Sequence, residues 1–168
     1  AQETLEVYAP LAERLGIGEM KGRLEDLAFP YAYPEEYKWE ENYAFPFYQE
    51  TDEYLQRIKK EVLSLLHKKG IKTKVHGRAK HLYSLFKKLS RPEYNKDIHE
   101  VYDLMALRII VNNIEECYVA LGLMHNLYKP VPSVGVRDFI AQPKPNGYQS
   151  IHTNVFAQGR IIEIQIRT

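Results

Sequence analysis

Gln149-Ser150-Ile151-His152-Thr153-Asn154-Val155-Phe156, then Ala157-Gln158-Gly159-Arg160, then Ile161-Ile162-Glu163-Ile164-Gln165-Ile166-Arg167 is the stretch on which the fold turns. Both flanks alternate with the period of two that marks a strand. The four residues between them, with Gly159 at the tight position, read as a hairpin turn. In the second flank Glu163, Gln165 and Arg167 share one face and Ile162, Ile164 and Ile166 share the other. Such a polar face looks onto solvent, as on an exposed edge strand, or onto a cleft.

Upstream, Val134 to Ile140 reads as a further strand. Before it, Asn113 caps a helix carrying Cys117, Ala120, Leu121 and Met124. Leu104 to Val111 is apolar enough to be central in a sheet. From Ile71 the period is also two, with Ile71, Thr73 and Val75 alternating with Lys72, Lys74 and His76. Gly77 is expected to end that strand, and Leu82, Leu85, Phe86 and Leu89 mark the next helix. The order from residue 71 is therefore strand, helix, strand, helix, strand, strand, strand. That is an α+β chain with a mixed sheet flanked by helices.

A helical segment precedes it. Tyr54, Ile58, Val62, Leu65 and Leu66 form one face of a helix over 51–69, capped by Thr51 or Asp52 and ended by Gly70. Residues 30–50 hold three prolines and many aromatics and read as a connector, partly helical. Leu5, Tyr8, Leu11, Ala12 and Leu15 predict an opening helix stopped by Gly16 and Gly18. A second short helix is predicted from Met20 to Phe29, with Leu24, Leu27 and Ala28 inward.

The chain has 168 residues, the size of one domain with a short appendage. Lys+Arg 23 against Asp+Glu 22 leaves a net charge of +1, which argues against a generic nucleic-acid or membrane binder but permits a local basic cleft. The single cysteine, Cys117, excludes an internal disulfide framework and fits a reducing cytoplasm. No apolar run approaches the roughly 18 residues of a membrane span. The chain opens at Ala1 inside a helical pattern and stops after a strand signal, which reads as a piece of a longer protein. There is no Walker A sequence, no H-E-x-x-H and no His-Asp dipeptide.

Four clusters carry chemistry. In Gly77-Arg78 through Lys88, Lys80, Ser84 and Lys88 follow an i, i+4, i+8 spacing, and Arg78 and Lys80 fall at a strand-to-helix junction. That suits a polyphosphate, or else a solvated basic face. In Tyr102-Asp103 through Arg108, a carboxylate opens an apolar strand and a guanidinium lies within it, which calls for an internal ion pair or a ligand. Between Arg137 and His152, Pro143, Pro145 and Gly147 shape a loop that displays Lys144, Asn146, Tyr148 and His152, and a tyrosine face can stack on a base. In the last strand, Glu163 together with Asp103 supplies two carboxylates for one Mg²⁺, which typically takes one or two plus phosphate oxygens. Together these describe a cleft for nucleotide chemistry.

The same residues carry a resemblance to a known family. Glu3 to Ala12, Leu24 to Phe29, Gly77-Arg78 through Lys88, Tyr102-Asp103-Leu104, Pro143 through His152 and Glu163 through Thr168 resemble the synthetase domain of RelA/SpoT proteins, the (p)ppGpp synthetases. The resemblance implies a nucleotidyltransferase-like sheet and transfer of pyrophosphate from ATP to the 3′-hydroxyl of GDP or GTP, releasing AMP. It implies that Arg78 and Arg108 sandwich adenine while Lys80, Ser84 and Lys88 hold the ATP phosphates. Asp103 and Glu163 would hold Mg²⁺, Glu163 being also a candidate base. Tyr148 would stack on guanine, with Arg137, Lys144, Asn146, Gln149 and His152 on the acceptor nucleotide. Residues 1–50 would be a helical segment like the end of the hydrolase domain, and 51–168 the synthetase domain, truncated at its C-terminus.

Two departures from the family pattern stand out. Gly135-Val136-Arg137-Asp138 replaces the usual basic or acidic run before the loop, which bears on the choice between GDP and GTP. Lys21-Gly22-Arg23 replaces the usual Lys-Trp-Glu, which bears on packing. The His-Asp ligands of the hydrolase activity are not in this sequence, so no alarmone hydrolysis is expected of it. Partners are expected to be ATP and GDP or GTP, with no membrane and no direct nucleic acid. Ribosome contact is expected only through parts outside this chain. The competing expectation is a catalytically silent guanine-nucleotide-binding module of a mainly hydrolytic protein.

Overall fold

The computed structural model describes residues 1–92, 98, 101 and 104–168. It contains two compact units, one built from residues 1–49 and 80–101, the other from residues 50–79 and 102–168.

The first unit is helical. A π-helical turn at Thr4–Tyr8 runs into α1 (Ala9–Arg14), followed by α2 (Gly18–Ala32), the first part of α3 (Pro34–Lys68) and α4 (Leu82–Leu89). Gly16 at φ 75° ends α1, as the sequence predicts. Gly18 instead begins α2. The inward face of the opening segment is Leu5, Ala9 and Ala12, with Tyr8, Leu11 and Leu15 exposed. In α2 the buried residues are Gly22, Glu25, Ala28 and Phe29, whereas Leu27 is 70% exposed, against expectation. The reason is Phe29, which is fully buried and turns the helix toward its own partners. Its ring meets Tyr37 at 5.5 Å, Tyr83 at 5.2 Å and Phe86 at 5.1 Å. Aromatic pairs at such spacing contribute beyond the area they bury.

The connector expected over residues 30–50 is helix. Pro30 lies inside α2 and Pro46 inside α3, a continuous helix of 35 residues. Thr51 and Asp52 therefore sit in the helix interior and cap nothing. Proline in a helix removes one backbone bond and crowds the preceding turn. Downstream of Pro46 the same helix buries Tyr54, Leu55, Ile58, Val62 and Leu66.

The second unit is α+β. The remainder of α3 leads to β1 (Lys74–Ala79), then β2 (Met105–Ile110), α5 (Ile114–Leu127), β3 (Lys129–Pro130), β4 (Val136–Asp138), β5 (Ile151–Ala157) and β6 (Arg160–Arg167). Among the described residues the sheet has six strands in the order β1-β2-β6-β5-β3, with β4 also on β5. Only β2 and β6 are parallel; the other pairs are antiparallel. The hairpin forms where the sequence places it, with Gln158 at φ 47° and Gly159 at φ 84° in the two-residue turn. The last strand is not an edge: β6 lies between β2 and β5.

Two strands differ from expectation. β1 starts at Lys74 and runs through Gly77 rather than ending there. A Cβ on Gly77 would stand 3.2 Å from the Leu55 Cβ, so the glycine lets α3 lie close on the sheet. β4 is three residues, not seven. Asp138 Oδ1 accepts from the backbone N–H groups of Ile140 and Ala141, each at 2.9 Å, and turns the chain out of the sheet. Those bonds hold the Asp138 carboxyl below its ordinary range. Asn113 caps α5 as predicted, its Oδ1 accepting from Glu116 N–H at 2.8 Å.

Candidate nucleotide site on the polar face of the sheet

The strand registers sort the side chains of the second unit onto two faces. One carries Val75, Gly77, Leu107, Ile109, Ile151, Val155, Ile162, Ile164 and Ile166, all buried but the glycine. Leu55 of α3 packs there against Gly77, and His125 of α5 meets Thr153 Oγ1 at 2.9 Å. The core thus occupies one face of the sheet.

The opposite face is polar. One row across it reads His76, Arg108, Gln165, His152 and Arg137, on β1, β2, β6, β5 and β4. The next row reads Arg78, Ala106, Glu163 and Asn154. Residues paired in register have Cβ atoms about 4.5–5.5 Å apart. Period-two alternation in the sequence thus gathers residues from five strands.

Glu163 is the centre of this face. It is only 7% exposed, yet it is a carboxylate. Its Oε1 accepts from Arg137 Nη2 at 2.6 Å and contacts His152 Nδ1 at 3.2 Å. Its Oε2 accepts from Gln165 Nε2 at 2.7 Å. Burial pushes its pKa up, but the bonds from His152 and Gln165 and the charges of His152 and Arg137 outweigh burial and hold it below the ordinary value. The group is ionised at neutral pH and needs no proton to be stable there.

His152 is fixed in turn. Its Nε2 meets the Tyr148 hydroxyl at 2.9 Å, and Phe139 packs edge-on against its ring at 5.2 Å. Tyr148 is positioned by the loop before β5. Gly147, at φ 75°, donates to Lys144 O at 2.8 Å, and Asn146 Oδ1 accepts from Tyr148 N–H at 3.2 Å. Lys144 Nζ lies 4.7 Å from the Phe139 ring centre and 5.4 Å from that of Tyr148, and the Arg167 guanidinium is 5.4 Å from the latter. The loop is therefore an ordered, cation-rich aromatic surface.

Of the residues singled out in the sequence, Arg137, Lys144, Tyr148, His152 and Glu163 come together here. Arg78 and Arg108 stand on the same face, and Arg108 Nε is buried without a partner among the described residues. Asn146 acts on the loop backbone, and Gln149 is exposed, its Nε2 3.5 Å from Ile140 O. Asp103, with Tyr102, lies outside the described residues.

Lys80, Ser84 and Lys88 belong to the helical unit. The expected i, i+4, i+8 ladder is shorter than its spacing suggests, because α4 begins at Leu82 and Lys80 precedes it. The Lys80 carbonyl accepts from the Tyr48 hydroxyl at 2.6 Å. Ser84 Oγ donates to buried Glu25 at 3.2 Å, and Lys87 Nζ approaches the same carboxylate at 3.3 Å. Ser84 keeps its oxygen lone pairs for a donor but has committed its proton.

Three residues on the polar face had no role from sequence. Gln165 orients Glu163, Asn154 is its cross-strand neighbour, and Phe139 wedges His152. Alternation already put Gln165 on the face of Glu163; nothing in the sequence shows the contact itself.

The mixed sheet flanked by helices matches the fold of solved alarmone synthetases. The small alarmone synthetase 1 of Bacillus subtilis, in a crystal structure bound to its product pppGpp, matches with a TM-score of 0.56 and 25% identity over 78% of this chain and 72% of that one. The family model described as a region found in RelA / SpoT proteins matches residues 77–168. The chain belongs to the RelA/SpoT family. It is 45% identical, over its whole length and 24% of the relative's, to a guanosine-3′,5′-bis(diphosphate) 3′-pyrophosphohydrolase of Aquifex aeolicus. It is 40% identical, over its whole length and 22% of the relative's, to a GTP pyrophosphokinase of Escherichia coli. The chain thus spans about a quarter of the length of these relatives. Among the described residues no helix is long and apolar enough to cross a membrane.

Proposed function

We propose that this chain is the (p)ppGpp synthetase portion of its protein, moving the pyrophosphoryl group of ATP to the 3′-hydroxyl of GDP or GTP and releasing AMP. The observation that carries the reading is Glu163: a buried, ionised carboxylate held by Arg137, His152 and Gln165 beside a tyrosine loop. The relatives' names divide between hydrolase and pyrophosphokinase, and both are names of proteins about four times as long.

In this reading Glu163 accepts the proton of the 3′-hydroxyl as that oxygen attacks the β-phosphorus of ATP. The bond from the β-phosphorus to the α,β-bridging oxygen breaks, and AMP leaves with that oxygen. Tyr148 stacks the guanine, and Arg137, Lys144, Asn146, Gln149 and His152 take the acceptor side. Arg78 and Arg108 flank adenine; Lys80, Ser84 and Lys88 draw on the ATP phosphates. Most of the rate then comes from positioning and charge neutralisation.

Mg²⁺ fits the donor set of the polar face. Glu163 Oε2 accepts one hydrogen bond and retains a lone pair, a hard oxygen of the kind that ion takes. Glu163 and Asp103 would hold it, and when bound it neutralises phosphate charge. A protein of this kind works in the cytoplasm, where its nucleotides are.

The test is incubation with Mg²⁺, ATP labelled at the β-phosphate and either GDP or GTP. Label in a guanosine 3′-diphosphate product, with equimolar AMP, is the expected result. Guanine nucleotide bound without label transfer would leave a silent binding module instead.

A further inference from the structure

We propose that Asn154 is a further oxygen donor to the divalent cation at Glu163; this rests on the function proposed above. Asn154 lies on β5 directly across from Glu163 on β6, on the same face. It is 3% exposed, and its side-chain oxygen Oδ1 is buried with no donor among the described residues. Buried polar atoms are nearly always satisfied, so an orphan carbonyl beside a reactive carboxylate calls for a missing partner.

Arg137 and His152 fill Oε1 of Glu163, and Gln165 takes one position on Oε2. Two uncommitted oxygen positions remain in this pair of side chains, the second lone pair of Glu163 Oε2 and the Oδ1 of Asn154. A neutral carbonyl oxygen next to a carboxylate is a common donor set for a hard divalent cation. A cation between the two side chains would use both vacant positions.

The experiment is Mn²⁺ binding to the full chain in the presence of a non-hydrolysable ATP analogue, followed by electron paramagnetic resonance. Wild type, Asn154→Ala, Asn154→Ser and Asn154→Asp are compared, with circular dichroism melts to select the folded variants. Asn154→Ala should weaken Mn²⁺ about tenfold, the usual scale for losing a supporting group at a metal. Asn154→Asp should tighten it. GDP affinity should stay level across the series. Equal Mn²⁺ affinity in wild type and in Asn154→Ala or Asn154→Ser, or absence of Mn²⁺ binding by wild type, overturns the proposal. Label transfer by wild type judges the synthetase reading separately: transfer with unchanged metal dependence in the variants would sink the Asn154 role alone.

Discussion

Glu40 and Glu163 are both buried carboxylates, and their surroundings send them in opposite directions. Glu163 has three donors and stays ionised. Its contribution to stability is present above the unfolded carboxylate range and lost as pH falls through its lowered folded value. Glu40 has no exposure and no partner for either oxygen among the described residues, and burial pushes it up to about 7 from an ordinary 4.5. The folded state therefore holds a proton that the unfolded chain releases. Stability from this group is full below about 4.5 and is lost as pH rises through about 7, a span worth about 3 kcal/mol. Glu40→Gln, which mimics the neutral form, should match wild type at about pH 4 and exceed it by about 3 kcal/mol at about pH 8. Urea unfolding at the two pH values checks this, and an equal difference at both would refute it. Gly22 offers a second test. A Cβ there would stand 2.3 Å from His81 Nε2, inside the ring that bonds Asp26 through Nδ1. Gly22→Ala should cost about 1–3 kcal/mol, read from its midpoint in the same denaturant. The sequence shows Gly22 as a departure from the family pattern, but not the imidazole that occupies the vacated space.

The elements that were legible are those whose signal is local. Alternation gave β5 and β6, and Gln-Gly gave the turn, because side-chain period and left-handed backbone are properties of neighbouring residues. The Asn113 cap was legible for the same reason. The second part of α3 was legible from its apolar face, but its first part, residues 34–50, was not, because Pro34 and Pro46 are local stop signals in the sequence. The end of β4 was not, because it depends on where the Asp138 side chain turns. Pro46→Ala restores a backbone donor inside a 35-residue helix and should raise the melting temperature, by up to about 3 kcal/mol of stability, without changing helical content by circular dichroism. A lower melting temperature would mean that the proline shapes the helix for packing. Gly77→Ala, by contrast, should destabilise by crowding Leu55, and Leu55→Ala should relieve part of that loss in the double variant.

At the scale of the molecule, a net charge of +1 hides a strong separation. Three isoleucines of β6 are fully buried on one face of the sheet, while arginines, histidines and Glu163 share the other. The sequence carried much of this site because alternation assigns faces, and because the residues from Pro143 to His152 are contiguous. It did not carry the bonds around Glu163, which depend on how side chains from three consecutive strands meet. The central claim is that the carboxylate on the polar face performs the chemistry rather than holding the fold. The most direct test is the rate of label transfer from ATP to GDP by Glu163→Gln at saturating nucleotide, set beside wild type, with GDP affinity measured on both. A fall of about a thousandfold with GDP affinity within a few-fold of wild type is the predicted result. Transfer within tenfold of wild type would contradict it.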